Sequence, residues 1–196
     1  MDRITAFDLV IFLALLAMFV VGYAQGVVRR LLGIAAIVFA LIVGAQLRTP
    51  LGDYLANQWT SISPTYSDMV AFGAVFLATA VTLSLAIQLT YRPAPLFPRY
   101  PVLDEILGGI LGVIQGVIIL VAIIMIVDPY YNQSSVGERP GFGEFTLLRT
   151  LHGFLDPTLT AAILRDNVIP VILAVIGFLF PQEVRDTFAR ILLVRR

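Results

Sequence analysis

Four long apolar stretches constrain this sequence more than any other feature. They cover Phe7–Tyr23, Leu31–Leu47, Met69–Leu89 and Ile106–Val127, and Asp8 at the edge of the first is their only charged residue. A helix needs about 20 residues, within a range of about 17–25, to cross the hydrocarbon core of a bilayer. The sequence therefore predicts an all-α membrane protein built on a four-helix transmembrane bundle.

A fifth apolar run, Val168–Phe180, is short for a span and carries Pro170 near its start. This length is more typical of an interfacial or re-entrant segment, and a fifth span is the alternative. We therefore expect a membrane domain over residues 1–128 and a flexible loop over 129–144. The remainder, 145–196, is expected to form an amphipathic helical tail on the outer surface of the bilayer.

Two Asp-Pro pairs predict helix boundaries in the second half of the chain. Pro129 follows Asp128 and should end the fourth helix, because proline cannot donate a backbone hydrogen bond. Asp156 followed by Pro157 has the pattern of a helix cap and a first helical residue.

The arginines predict the orientation, because cytoplasmic loops are enriched in basic residues. The first and third connections contain four arginines and the opposite side contains three: Arg29, Arg30, Arg92 and Arg99 against Arg3, Arg48 and Arg139. Residues 24–30 and 90–105 are therefore expected in the cytoplasm, and the N-terminus and residues 128 onward outside. The alternative is a signal peptide cleaved near Ala24-Gln25-Gly26, which Asp2 and the Arg29-Arg30 pair disfavour.

Composition removes most catalytic classes. Of 196 residues, 59% are hydrophobic and 13% are charged, and the formal net charge of zero offers no field to attract nucleic acid. The chain has no lysine, no cysteine and one histidine, His152, so no Schiff base, thiolate site or histidine-rich metal centre is expected. We predict a protein that is not an enzyme and that needs no metal or cofactor. An enzyme using His152 with Asp156 or Glu144 is an alternative that lacks an oriented nucleophile.

Small residues recur at intervals of four in the predicted spans. In lipid, helices associate through close backbone approach at such residues. The pattern predicts either a compact bundle or an interface with a second copy or another membrane protein. The glycines expected at helix contacts are Gly22, Gly26, Gly44, Gly108, Gly112 and Gly116.

Polar residues inside the predicted spans are scarce. Gln115 lies near mid-bilayer and should face another helix, because a buried amide needs a hydrogen-bond partner. Asp8, Asp104 and Asp128 are interpreted as helix-edge residues that water or headgroups solvate. Asp104 either caps its own helix or pairs with Arg29 or Arg30 at the cytoplasmic face.

These motifs together resemble the colicin V production protein (CvpA) family of bacterial inner-membrane proteins over residues 4–128. The residues that carry the resemblance are Asp8, Gly22, Gln25-Gly26, Arg29 or Arg30, Ala45, Leu103-Asp104, Leu107-Gly108-Gly109, Gly112 and Gly116. Family members often have Arg-Gly before the basic pair and Asp-Arg at the fourth span, where this chain has Gln25-Gly26 and Asp104-Glu105.

The resemblance implies an integral inner-membrane protein linked to colicin V production or export and to envelope homeostasis. We expect a non-catalytic accessory protein in the lipid bilayer, with a membrane-protein partner or as a homo-oligomer. The alternative is a small transporter or channel, which would need a hydrated path lined by Gln115 and Gln88.

Overall fold

The computed structural model describes residues 4–59, 63–90, 96–97, 99–131, 145–182 and 184–186, and the regular elements in them are all helical. Within these ranges, five helical segments are long and apolar enough to cross a membrane, so the expected all-α membrane fold is confirmed. The long helices are α1 (Ala6–Gln25), α2 (Val27–Gln58), α3 (Pro64–Thr90) and α4 (Pro101–Tyr131). Shorter elements follow, namely α5 (Thr146–Leu155), α6 (Leu159–Ile163), a π-helical segment (Leu164–Val168), α7 (Ile169–Ile176) and a 3-10 turn (Gly177–Leu179).

The first helix begins at a capping box and ends at a single glycine. Thr5 Oγ1 accepts from the Asp8 amide at 3.2 Å, and Asp8 Oδ2 accepts from the Thr5 amide at 2.8 Å. Gly26 alone separates α1 from α2 and has a φ of 74°, a backbone conformation that favours glycine. Residues 24–30 are therefore a sharp junction between helices, where the sequence suggested a loop.

Two helices extend beyond the apolar runs that predicted them. α2 continues past Leu47 to Gln58 with Pro50 inside it, and α4 continues to Tyr131 with Pro129 inside it. The prediction that Pro129 ends α4 was wrong by two residues. A proline this close to the helix end removes one backbone hydrogen bond, which the last turn tolerates.

The fifth apolar segment is longer than the sequence indicated. It runs over Leu159–Leu179, 21 residues, of which Val168–Phe180 is only the second half. The predicted cap at Asp156 was also wrong, because α6 begins at Leu159 and Thr158 Oγ1 caps it, accepting from the Ala161 amide at 3.0 Å. Asp156 instead lies at the C-terminal end of α5. The loop predicted over 129–144 was wrong for residues 129–131, which are the end of α4. Residues 132–144 of that loop and residues 187–196 of the predicted tail lie outside the described residues.

The four long helices pack as two pairs joined through α4. α1 packs antiparallel on α4, α2 packs along α3, and α4 also packs on α2, whereas α1 and α3 make at most marginal contact in the described ranges. The bundle consequently has two ends. At the junction end, Gly26 lies beside the start of α4; at the Asp128 end, the starts of α1 and α3 meet the end of α4.

The core is densest at the Asp128 end. Tyr66 is fully buried, its ring lies 5.0 Å from that of Tyr130, and its hydroxyl accepts from the Phe145 amide at 2.7 Å. α5 is thereby held against α3 and α4. Many side chains of α1 are exposed on its outer face, as expected for a helix that meets lipid or a partner.

Candidate functional site: two buried arginines at opposite ends of the bundle

Arg165 and Asp128 form a buried ion pair at the Asp128 end. Arg165 Nε and Nη2 each donate to one carboxylate oxygen of Asp128 at 2.7 Å, and Nη1 donates to Asp156 Oδ1 at 2.8 Å. The Arg165 side chain is 2% exposed and that of Asp128 is 1% exposed. The parallel two-bond geometry is the strongest that an arginine and a carboxylate make. This arginine–aspartate cluster joins α4 to the fifth apolar segment.

The cluster depends on the π-helical segment. Arg165 lies within Leu164–Val168, where the extra residue in the turn shifts the side-chain directions relative to a continuous α-helix. In this structure, the π-helical segment directs the Arg165 side chain toward α4.

The sequence interpretation missed this cluster for two reasons. Arg165 and Asp166 break the apolar run, so the first half of the fifth segment was not recognised, and Asp128 was assigned to solvating headgroups. The structure corrects that assignment, because Asp8, Asp104 and Asp128 are all buried. A carboxylate next to an apolar span, followed by an arginine in a later apolar segment, was the available signal.

His152 lies beside the cluster. Its Nε2 is 3.6 Å from Asp128 Oδ1, beyond hydrogen-bond distance, and its ring stacks on that of Tyr131 at 4.9 Å between centroids. The carboxylate that this ring faces is therefore Asp128, whereas Glu144 lies outside the described residues. A groove of about 410 Å³ between α3, α4 and α5 also reaches His152, and its walls are otherwise apolar.

Asp8 connects the first helix to the sixth. Besides capping α1, its carboxylate accepts from the Thr160 amide at 2.9 Å and the Thr160 hydroxyl at 2.6 Å. The Leu159 amide also donates to it at 3.3 Å. One buried carboxylate thus satisfies amides at the starts of both α1 and α6, which explains an acidic residue inside an apolar run.

Arg30 and Gln115 form the second polar site, toward the junction end. Arg30 Nη1 donates to Gln115 Oε1 at 2.7 Å, and the two residues are 5% and 9% exposed. Gln115 therefore faces another helix, as its position in an apolar span required. A Cβ added at Gly33 would lie 2.9 Å from Gln115 Nε2, so the glycine makes room for the amide.

A cavity of about 190 Å³ adjoins this pair and is here called the arginine pocket. Its polar wall consists of Gln25, Arg29, Arg30, Ser84, Gln88 and Gln115. Among the residues that the structure describes, no carboxylate lines it. The Nε of Arg30 is buried and has no hydrogen-bond partner among the described residues.

Asp104 does not make the expected ion pair. Its Oδ2 accepts from the Val27 amide at 3.4 Å and its Oδ1 from the Leu96 amide at 3.0 Å. No ion pair within 4.0 Å joins it to Arg29 or Arg30, all three of which the structure describes. Asp104 instead caps the first turn of α2 across the helix interface, which neither alternative from the sequence anticipated.

The glycines selected from the sequence lie at close helix contacts. A Cβ at Gly108 would lie 2.6 Å from the Gly22 carbonyl oxygen, and one at Gly112 would meet the Met18 carbonyl oxygen. One at Gly116 would lie 2.8 Å from a Leu15 methyl group.

The other two selected glycines border different neighbours. Gly26 faces the Asp104 carboxylate, and a Cβ at Gly44 would lie 2.9 Å from the Phe72 ring. Together these positions leave no space for side chains between α1 and α4 or at this point of the α2–α3 contact.

The two polar sites are separated along α4. Gln115 and Asp128 are thirteen positions apart, a rise of about 20 Å. Every residue over 116–127 is apolar. Within the described part of the chain, the two arginines thus belong to separate sites.

One family model matches this chain, that of the Colicin V production protein, over residues 7–138. This range covers more than half of the chain and includes both polar sites except Asp156, Arg165 and the neighbouring His152. No curated protein and no solved structure matches it significantly.

Proposed function

Since the chain belongs to the colicin V production protein family, we propose that it is a non-catalytic accessory protein of the bacterial inner membrane. Its role in this proposal is to support export of a colicin V-type toxin and to maintain the envelope by holding a membrane-protein partner or a second copy. The N-terminus and the Asp128 end face the periplasm, and the junction end faces the cytoplasm. The arginine distribution supports this orientation.

The observation that carries the proposal is the apolar stretch of α4 between the two polar sites. A path for ions or polar solutes would have to pass residues 116–127, which offer no polar side chain from α4. At the Asp128 end, the buried charges of Arg165 and Asp128 neutralise each other. Such an arrangement supports a structural role better than a conducting one.

The free surface of α1 supports a partner interface. Its glycine face is occupied by α4, so an external partner would meet the opposite face. Leu9, Phe12, Leu13 and Leu16 are each about half exposed on that face. In the proposal, a helix of the partner or of a second copy packs there.

Site-specific photo-crosslinking in native membranes tests this proposal. A photo-reactive residue at Leu13 should give one discrete crosslinked product, whereas the same residue at Ile11, which is buried inside the bundle, should give none to another chain. Loss of toxin export in cells that lack the protein should be restored by the wild-type chain. Absence of any product from Leu9, Leu13 and Leu16, together with normal export without the protein, would contradict the proposal.

A small transporter is the second candidate, and the arginine pocket is the observation that favours it. A buried cation beside a cavity is the type of group that lines substrate paths. Flux measured in proteoliposomes separates the candidates. Reproducible solute uptake that Gln115→Leu abolishes would favour the transporter over the accessory role.

Orientation has its own test, because the natural chain has no cysteine. Single cysteines at Ser61, Ser134 and Pro95 can be labelled with an impermeant reagent in intact cells. The first two should react and the third should not. Labelling at Pro95 would reverse the orientation.

A further inference from the structure

We propose that the arginine pocket binds a phosphate group. The first step is charge. Two arginines, Arg29 and Arg30, line the same cavity, and no carboxylate among the described residues lines it with them. Burying a cation costs free energy unless the cation is paired with an anion. An anion bound in the pocket would therefore offset the cost of burying Arg30.

The second step is hydrogen bonding. A guanidinium has five N–H donors in a planar fork that matches phosphate. For Arg30, Nη1 donates to Gln115, while Nε is buried and lacks an acceptor within the described ranges. Neutral donors on Ser84, Gln25 and Gln88 border the same space. The donor set is therefore rich in N–H and O–H groups and short of acceptors that carry charge.

The third step is the size and the lining of the cavity. A cavity of about 190 Å³ is smaller than the roughly 300–1,000 Å³ of drug-sized ligand sites and suits a headgroup or a small anion. Its walls come from all four long helices, with both arginines on α2 and Gln115 on α4. Met18, Val21 and Ile87 offer an apolar surface beside the polar wall. The same chemistry would accept a phosphate that is free in water.

Binding to the purified full chain in a neutral detergent tests the proposal. The probes are phosphatidylglycerol, a diacylglycerol with the same acyl chains but no phosphate, and inorganic phosphate. Native mass spectrometry measures retained lipid, and thermal unfolding measures stabilisation by inorganic phosphate. We expect phosphatidylglycerol to be retained in preference to diacylglycerol.

The decisive variant is Arg30→Gln, which preserves a polar side chain beside Gln115. It should weaken phosphatidylglycerol binding at least about tenfold, the loss expected for one charge-assisted contact. Arg48→Gln is the matched control, since Arg48 lies on the same helix but pairs with Asp68 at 3.5 Å, away from the pocket. It should bind the lipid as the wild-type chain does.

Comparison of the lipid probe with inorganic phosphate also identifies the source of the phosphate group. One outcome is that inorganic phosphate stabilises the wild-type chain but not Arg30→Gln while no lipid is retained. That result supports the site and shows that its ligand is a phosphate dissolved in water. Failure of both probes to bind the wild-type chain overturns the proposal, as does equal binding by Arg30→Gln and Arg48→Gln. If Arg30→Gln does not fold, Arg29→Gln and Gln88→Leu decide, and unchanged binding in both overturns it.

Discussion

Arg165 and Arg30 are both buried in the membrane domain, but their surroundings differ in charge. Arg165 has two carboxylate partners, Asp128 and Asp156, and both carboxylate oxygens of Asp128 are used. Arg30 has a neutral amide partner, Gln115, and an Nε without an acceptor in the described part of the chain. The first arrangement is typical of a structural contact between two elements, and the second is typical of a ligand-binding site.

The difference also follows the position of each arginine in the fold. Arg165 joins a late apolar segment to α4, so its pairing holds two elements together. Arg30 lies near the start of α2 and lines the arginine pocket. Burial of an arginine alone therefore does not distinguish a structural role from a binding role, whereas the charge of its partners does.

The largest effect should come from removing the carboxylate of the arginine–aspartate cluster. Asp128→Asn leaves Arg165 with a buried, partly uncompensated charge, and we expect a loss of about 3–5 kcal/mol in the free energy of unfolding. Thermal unfolding in detergent measures it. Asp156→Asn is the control and should cost much less, because that carboxylate is 39% exposed.

A double variant sharpens this test. Asp128→Asn combined with Arg165→Met removes both charges and should recover part of the lost stability. Equal melting temperatures for Asp128→Asn and Asp156→Asn would show that the buried pair contributes no more than the exposed one.

The next largest effect should come from the α1–α4 contact. Gly112→Ala places a methyl group against the Met18 carbonyl oxygen and should cost about 1–3 kcal/mol. Gly153→Ala, at a helical glycine with no atom within 4 Å of the added carbon, should be neutral or stabilising by up to about 1 kcal/mol. Thermal unfolding of both variants checks the contrast. Tolerance of Gly112→Ala would mean that α1 and α4 separate without penalty.

A smaller effect is expected at Asp104. Asp104→Asn retains one acceptor oxygen and should cost about 0.5–1.5 kcal/mol through the weakened bonds to Val27 and Leu96. Asp104→Arg should be worse, and adding Arg30→Asp should not rescue it, because the structure contains no ion pair between these residues. Rescue of folding by the exchange, measured by yield and melting temperature, would restore the ion-pair hypothesis.

The smallest effect should come from Arg30 itself. Arg30→Gln removes an uncompensated buried charge, so the melting temperature without ligand should be unchanged or slightly higher. Arg165→Gln should lower it, since Asp128 then loses its partner. A residue whose loss weakens binding while sparing stability has the signature of a functional site. Equal destabilisation by the two variants would remove the distinction between the two arginines.

The sequence located the four uniformly apolar spans but shortened the fifth apolar segment, which carries charge. The first four spans were located because their runs match the bilayer thickness. The fifth was shortened, because Arg165 and Asp166 interrupt its apolar run, although Asp128 neutralises Arg165 in the fold. Arg165 and Asp128 are 37 positions apart, and their pairing depends on the tertiary fold. The periodicity of apolar residues along the sequence does not predict it.

The candidate site was predictable only in part. Gln115 was expected to face a helix because an amide in lipid needs a partner, but nothing local indicated that Arg30 would supply the donor. Asp104 was expected at a helix start, and it lies there. It caps α2, however, and neither caps α4 nor pairs with an arginine. Its partner depends on how closely Gly26 lets the two helices approach.

The order in which the helices are made has a consequence for biogenesis. α1 makes few contacts with α2, its neighbour in the chain, and packs mainly on α4. Gly108 is synthesised about 85 residues after Gly22, which at about 5–20 residues per second is a delay of roughly 4–17 seconds. During that interval the glycine face of α1 lies in the bilayer without its native neighbour. Until α4 is inserted, that face of α1 therefore packs against lipid or against another helix.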